Sequence, residues 1–170
     1  VLIQPLPQDT TKMYNDQNCL YTTILRGVQH GKNVEETRII DSVTKCVNCY
    51  TAYDEYMTYA SSSDLRFVIS NTTEAGIVYT EGCKLEDTPP VSFPAKVAQF
   101  LYKRFKHFNG DKKAGLIFIP CELIDYNGAE LKRVLVELAK IHNMDEKFID
   151  WMVNANKYYK ELKEARSKKN

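Results

Sequence analysis

Two hydrophobic patterns alternate along this chain. Short, nearly continuous apolar runs occur at Val1-Leu2-Ile3, Leu65-Arg66-Phe67-Val68-Ile69 and Ala114-Gly115-Leu116-Ile117-Phe118-Ile119. Such runs predict strands, the last of them buried on both faces of a parallel sheet. Elsewhere apolar positions recur every three or four residues. Val97, Leu101, Phe105 and Phe108 trace one helical face, opened by Ser92 and Pro94 and stopped by Asn109-Gly110. Leu131, Val134, Leu135, Leu138 and Ala139 trace a second, and Phe148, Trp151 and Met152 a third behind a capping Asp145.

Gln4 to Asn18 is polar and Pro-containing, the pattern of a loop leading into a short helix. Leu20 to Leu25, with turn chemistry at Gly31-Lys32-Asn33 and a β-branched return over Val34 to Val47, predicts an antiparallel hairpin. Thr51 and Asp54 open a short helix over Glu55 to Ala60 that ends at the Ser61-Ser62-Ser63-Asp64 stretch. The sequence over 157–170 holds six Lys or Arg against two Glu and predicts a charged helical tail. The order of strands and helices is that of an α/β domain.

At 170 residues, 44% of them hydrophobic and 26% charged, the chain is long enough for one core without disulfide staples. A formal net charge of +1 supplies no field to gather nucleic acid, so no nucleic-acid partner is expected. No apolar run approaches the roughly 20 residues that span a bilayer, so no membrane partner is expected and the protein reads as cytoplasmic. Five cysteines are an odd number, which favours free thiols. Cys46-Val47-Asn48-Cys49 is a lone CxxC with no second ligand pair, so no metal site is expected. Cys121 is expected to be a buried structural thiol. The chain opens on a strand-like triplet without Met, which suggests part of a longer polypeptide.

In open α/β sheets ligands bind beyond the carboxyl ends of strands. Three such ends carry hydrogen-bonding side chains: Gln4 to Asp9, Asn71 to Glu74, and Cys121 to Asn127. Each has a structural alternative, since Asn71 with Glu74 forms a capping pair in sequence and Asn127 stands where a helix cap belongs. No GxGxxG or P-loop occurs. His30, His107 and His142 fall at a turn and at helix ends, where surface roles dominate.

The strings Cys19-Leu20-Tyr21-Thr22-Thr23-Ile24-Leu25-Arg26-Gly27, Arg66 to Gly76, and Ile119-Pro120-Cys121-Glu122-Leu123-Ile124-Asp125-Tyr126-Asn127-Gly128 resemble the mannitol dehydrogenase family of NAD-dependent polyol and sugar-acid dehydrogenases, its sugar-acid branch above all. The resemblance covers residues 1–156. It implies an incomplete Rossmann-type NAD-binding domain with an inserted antiparallel hairpin over 1–156, followed by the charged tail 157–170. It further implies a linear sugar acid as small-molecule substrate and no catalytic metal, with the glycine loop and a catalytic lysine outside this chain.

By position, Gln8 and Asp9 match the family's acidic ribose-binding stretch, and a carboxylate there favours NAD over NADP by repelling a 2′-phosphate. Thr73-Glu74-Ala75-Gly76 matches its Thr-Glu-x-Gly element. Glu74 is thereby implied to tune the catalytic lysine or relay its proton, while Asn71, Thr72 and Thr73 line the cofactor. Asn127 matches an asparagine that contacts substrate, whereas Leu123 stands where mannitol-type members carry the asparagine that polarises the substrate oxygen. The remaining readings are a family member with a different sugar or polyol substrate, and a non-catalytic α/β module that binds a partner through its sheet edge or basic tail.

Overall fold

The computed structural model describes residues 1–73 and 76–159. Backbone contacts divide the chain into two compact units, Val1–Tyr56 and Met57–Asn170. Both carry the parallel strands and helices of the α/β class expected from the sequence.

In the first unit, β1 (Leu2–Gln4) pairs in parallel with β4 (Cys46–Asn48), in the register Leu2 to Cys46 and Gln4 to Asn48. The short helix α1 (Thr11–Asn15) follows β1. The long hairpin of β2 (Tyr21–Gln29) and β3 (Lys32–Ile40) pairs antiparallel over its whole length. Its turn is tighter than expected, formed by His30 at φ 51° and Gly31 at φ 76°. The returning strand also ends earlier, at Ile40, and Cys46 to Asn48 belong to the parallel pair. The cause is a side chain: Asn15 donates to the Cys46 carbonyl (2.9 Å) and accepts from its amide (3.0 Å), taking that residue's backbone groups away from any hairpin ladder. Cys19, Cys46, Val47, Asn48 and Cys49 are buried.

The short helix α2 (Tyr53–Thr58) continues into a 3-10 turn over Tyr59–Ser61. The second unit holds a parallel sheet in the order β5 (Phe67–Ser70), β6 (Ile117–Pro120), β7 (Lys157–Tyr158). The α3 helix (Phe93–His107) connects β5 to β6, and α4 (Asn127–Ile141) with α5 (Glu146–Asn154) connects β6 to β7. Ser92 caps α3 by accepting from the Ala95 amide at 3.3 Å, and Asp145 caps α5 by accepting from Lys147 at 2.8 Å.

Every residue of the expected α4 stripe is buried, as are Phe148, Trp151 and Met152 of α5. Phe148 packs edge-on to Tyr102 at 5.1 Å and tilted against Phe105 at 5.5 Å. The strands depart from the fully buried pattern. Phe118 is buried while Ile117 and Ile119 are half-buried, and on β5 Phe67 and Ile69 are exposed. Lys157 and Tyr158, expected to begin a helical tail, extend the sheet instead. Asn156 imposes this by accepting from the Leu116 amide (2.8 Å) and donating to the Met152 carbonyl (3.2 Å), which ends α5 and delivers the next residues to β6. The rest of that tail lies outside the described residues.

Candidate functional site

The loop after β1 is held by buried Asn48. Its side-chain amide donates to the carbonyls of Leu6 (3.0 Å) and Gln8 (3.3 Å) and accepts from the Tyr50 amide (2.7 Å). Gln4 adds a bond from its amide to the Gln8 carbonyl and accepts from the Thr10 amide at 2.9 Å. These contacts fix the backbone of Gln8 and Asp9 beyond the carboxyl end of β1, the position expected for a ligand loop.

Asp9 also anchors α1. Its Oδ1 accepts from the Thr11 amide (2.9 Å) and hydroxyl (2.7 Å), and Oδ2 accepts from the Thr51 hydroxyl (3.0 Å). A carboxylate offers about four acceptor positions; these contacts leave Oδ2 able to take one further hydroxyl donor. The Thr11 bonds hold its pKa below the usual carboxylate range. A lowered folded-state pKa means that its contribution is present above the unfolded-state value and is lost as pH falls through the folded one. In an NMR titration, the Thr11 amide should therefore keep its native shift until pH is below the ordinary aspartate range of about 3.9. An inflection at or above that value would contradict the assignment.

Among the described residues no three His, Cys, Asp or Glu side chains gather to hold a metal. Burial pushes the Cys46 thiol up, with Cys19 and Asp9 adding to the effect, the opposite of what a reactive thiolate needs.

In the second unit, the loops after β5 and β6 are joined by Glu122. Its side chain is buried, at 3% exposure, and Oε1 accepts from both the amide (3.1 Å) and the hydroxyl (3.0 Å) of Thr72, while the buried Oε2 has no partner among the described residues. The Cys121 amide donates to the Ser70 carbonyl at 2.7 Å beside this link. Asn71 and Thr73 are exposed and Thr72 half-buried. Thr73 has φ 103°, an outlier for a β-branched residue. The Gly76 amide donates to the Thr73 carbonyl at 3.0 Å. A Cβ on Gly76 would overlap the Thr72 side chain, which gives the glycine of the Thr-Glu-x-Gly string a steric reason. Glu74 lies outside the described residues.

Asn127 is not the cap of α4. That position is Tyr126, left-handed at φ 57°. Asn127 is instead buried at 3% exposure, donates to the carbonyls of Pro120 (2.9 Å) and Glu122 (3.2 Å), and accepts from the Gly128 amide (2.7 Å). It stitches the end of β6 to the start of α4. Cys121, expected to be buried, is exposed: the alternation along the strand puts it on the same face as half-buried Ile117 and Ile119. Asn127, Glu122 and Thr72 thus form one connected network, whereas Gln8 and Asp9 belong to the first unit. Sequence reasoning missed Asn48 and took in Glu122 only as part of the stretch Cys121 to Asn127; the signal was a polar residue at or just beyond the end of a strand, where an apolar run stops.

Parallel strands joined through helices, with polar residues collected in the loops at their carboxyl ends, define a Rossmann-type α/β domain. The family model for the mannitol dehydrogenase Rossmann domain matches residues 3–161, and the chain belongs to that family. It is 43% identical to altronate oxidoreductase of Escherichia coli O7:K1 over 159 residues, covering 93% of this chain and 33% of that protein. It is also 43% identical to altronate oxidoreductase of Phocaeicola vulgatus over 162 residues, covering 95% and 34%. The chain thus spans about a third of the length of these curated relatives. Among solved structures, Pseudomonas fluorescens mannitol 2-dehydrogenase in ternary complex with NAD and D-mannitol superposes with a TM-score of 0.75 at 16% identity, over 92% of this chain and 33% of that one. Substrate-free D-sorbitol dehydrogenase gives 0.71 at 18% identity, over 92% and 34%. At these identities the superpositions speak for the fold.

Proposed function

We propose that this chain is the greater part of the NAD-binding domain of an oxidoreductase that interconverts D-tagaturonate and D-altronate. The observation that carries this reading is the 43% identity to altronate oxidoreductases over 93% of the chain. The loop geometry supports the cofactor: Asp9 has acceptor capacity left for a ribose hydroxyl, and Asn71 and Thr73 stand exposed beyond the end of β5. NAD supplies the hydride acceptor and donor when bound. Gln8 and Asp9 hold the adenosine ribose, while Asn71, Thr72 and Thr73 line the nicotinamide side. Glu74 tunes or relays the proton of a lysine that lies outside this chain, and Asn127 orients the loop that faces substrate. The 170 residues alone are expected to be inactive.

NADH oxidation by the complete polypeptide, followed with tagaturonate and with fructuronate, tests the substrate. Turnover preferring tagaturonate is expected, and a clear preference for fructuronate or for a neutral polyol would overturn it. Fluorescence titration tests the cofactor. NADH should bind at least about tenfold more tightly than NADPH, the scale of one unfavourable charge contact, and Asp9→Ser should narrow that gap. Equal binding of both by the wild type would remove the ribose role of Asp9, and the absence of any saturable binding would leave the non-catalytic module as the better reading.

A further inference from the structure

Glu122 is an unusual choice for its place. A carboxylate at 3% exposure, with one oxygen that has no partner among the described residues, is costly to bury. Among the described residues its side-chain hydrogen bonds go to one residue fifty positions away: Oε1 accepts from both the Thr72 amide and the Thr72 hydroxyl. The next residue, Thr73, sits at φ 103°, a conformation that persists only where its surroundings over-determine it. Two features over-determine it here. The Gly76 amide donates to the Thr73 carbonyl on one side, and Glu122 clamps Thr72 on the other. The clamp is itself held, because buried Asn127 donates to the Glu122 carbonyl at 3.2 Å and to the Pro120 carbonyl at 2.9 Å.

We infer that Glu122 is a positioning residue: through Thr72 it holds the Asn71–Thr73 segment in the strained backbone that presents it to the dinucleotide. This rests on the NAD reading above and adds to it a residue that touches neither cofactor nor substrate. Charge is not what the role needs, since a glutamine carbonyl oxygen accepts the same two bonds. A neutral amide also costs less to remove from water than a carboxylate.

The test is a variant series in the complete polypeptide, read by NADH titration, by the pH profile of turnover and by melting temperature. Glu122→Gln should keep NADH affinity and leave the pH profile in place, with a melting temperature at or above the wild type's. Glu122→Ala should weaken NADH binding about tenfold, the scale for one net hydrogen bond lost. Thr72→Val, which keeps the amide and loses the hydroxyl, should fall between them, and Thr72→Val combined with Glu122→Ala should be no worse than Glu122→Ala alone. Two results overturn the inference. One is Glu122→Ala lowering only the melting temperature with NADH affinity unchanged, which makes the link structural. The other is Glu122→Gln displacing or abolishing the pH profile, which makes the carboxyl a proton-transfer group. Failure of the NAD reading is a separate outcome, seen as a wild type without saturable NADH binding. Should Glu122→Ala not fold, the contrast between Glu122→Gln and Thr72→Val decides: equal affinity in both variants and wild type overturns the clamp.

Discussion

Arg104→Ala is expected to cost about 4 kcal/mol of folding free energy and to lower the melting temperature by about 10 °C. Arg104 is 2% exposed, and no carboxylate among the described residues pairs with it. Its guanidinium donates instead to four carbonyls: Ala114 (2.6 Å), Ala60 (3.0 Å), Ser62 (2.8 Å) and Leu65 (3.2 Å). The same group lies over the Phe108 ring at 4.7 Å. Burial lowers its pKa, yet an arginine stays charged at any ordinary pH. One planar, five-donor group on α3 therefore fixes the segment entering β5 and the 3-10 turn Lys112–Ala114 that precedes β6. Removing it strands several buried acceptors at once, which is why the expected loss exceeds that of an ordinary hydrogen bond. Arg104→Lys should recover little, because an ammonium presents three donors from one point and cannot span these four oxygens. Denaturant unfolding measures both variants, and a loss below about 1 kcal/mol for the alanine would show that water replaces the guanidinium freely.

Gly128→Ala is the second large effect, expected at about 2 to 3 kcal/mol. Gly128 is in the first turn of α4 with a helical backbone, so the glycine is not there for conformational freedom. Space decides it: a Cβ would overlap the Tyr159 carbonyl oxygen just past β7. That oxygen belongs to backbone already committed to the sheet, since the Tyr159 amide donates to the Phe118 carbonyl at 3.0 Å. The methyl must therefore push β7 away from β6 or tilt α4, and either movement disturbs neighbouring Asn127. Amide exchange at Tyr159 should accelerate in the variant along with the drop in stability. Unchanged protection at that amide would show that the helix shifts without cost to the sheet.

Much of the architecture was legible beforehand, for identifiable reasons. The α3, α4 and α5 helices announced themselves through three- and four-residue spacing plus caps at Ser92 and Asp145, both signals carried within a few residues of chain. The hairpin was legible from its β-branched flanks. Its return strand was overdrawn to Val47 because β-propensity continues there, while the claim of Asn15 on the Cys46 backbone comes from thirty-one residues away. Asn127 was placed at the right point of the chain with the wrong neighbours: a helix-starting asparagine suggests a cap, whereas here it faces back into the end of β6. Gln8 and Asp9 were singled out by resemblance, and the bonds from Asp9 to Thr11 and Thr51 show that the same carboxylate also anchors α1.

The sequence by itself determined the alternation of strands and helices, the apolar faces and the helix ends, because each depends on side chains within about one turn or one strand. It also carried the strings that place the chain in its family. The tertiary structure decided which buried polar groups satisfy one another. The partners of Asn48, Arg104, Glu122 and Asn156 include backbone groups 40 to 50 residues away in sequence, where no local pattern reaches. Burial then makes those pairings obligatory, since a polar group removed from water must find its partner wherever the fold brings one.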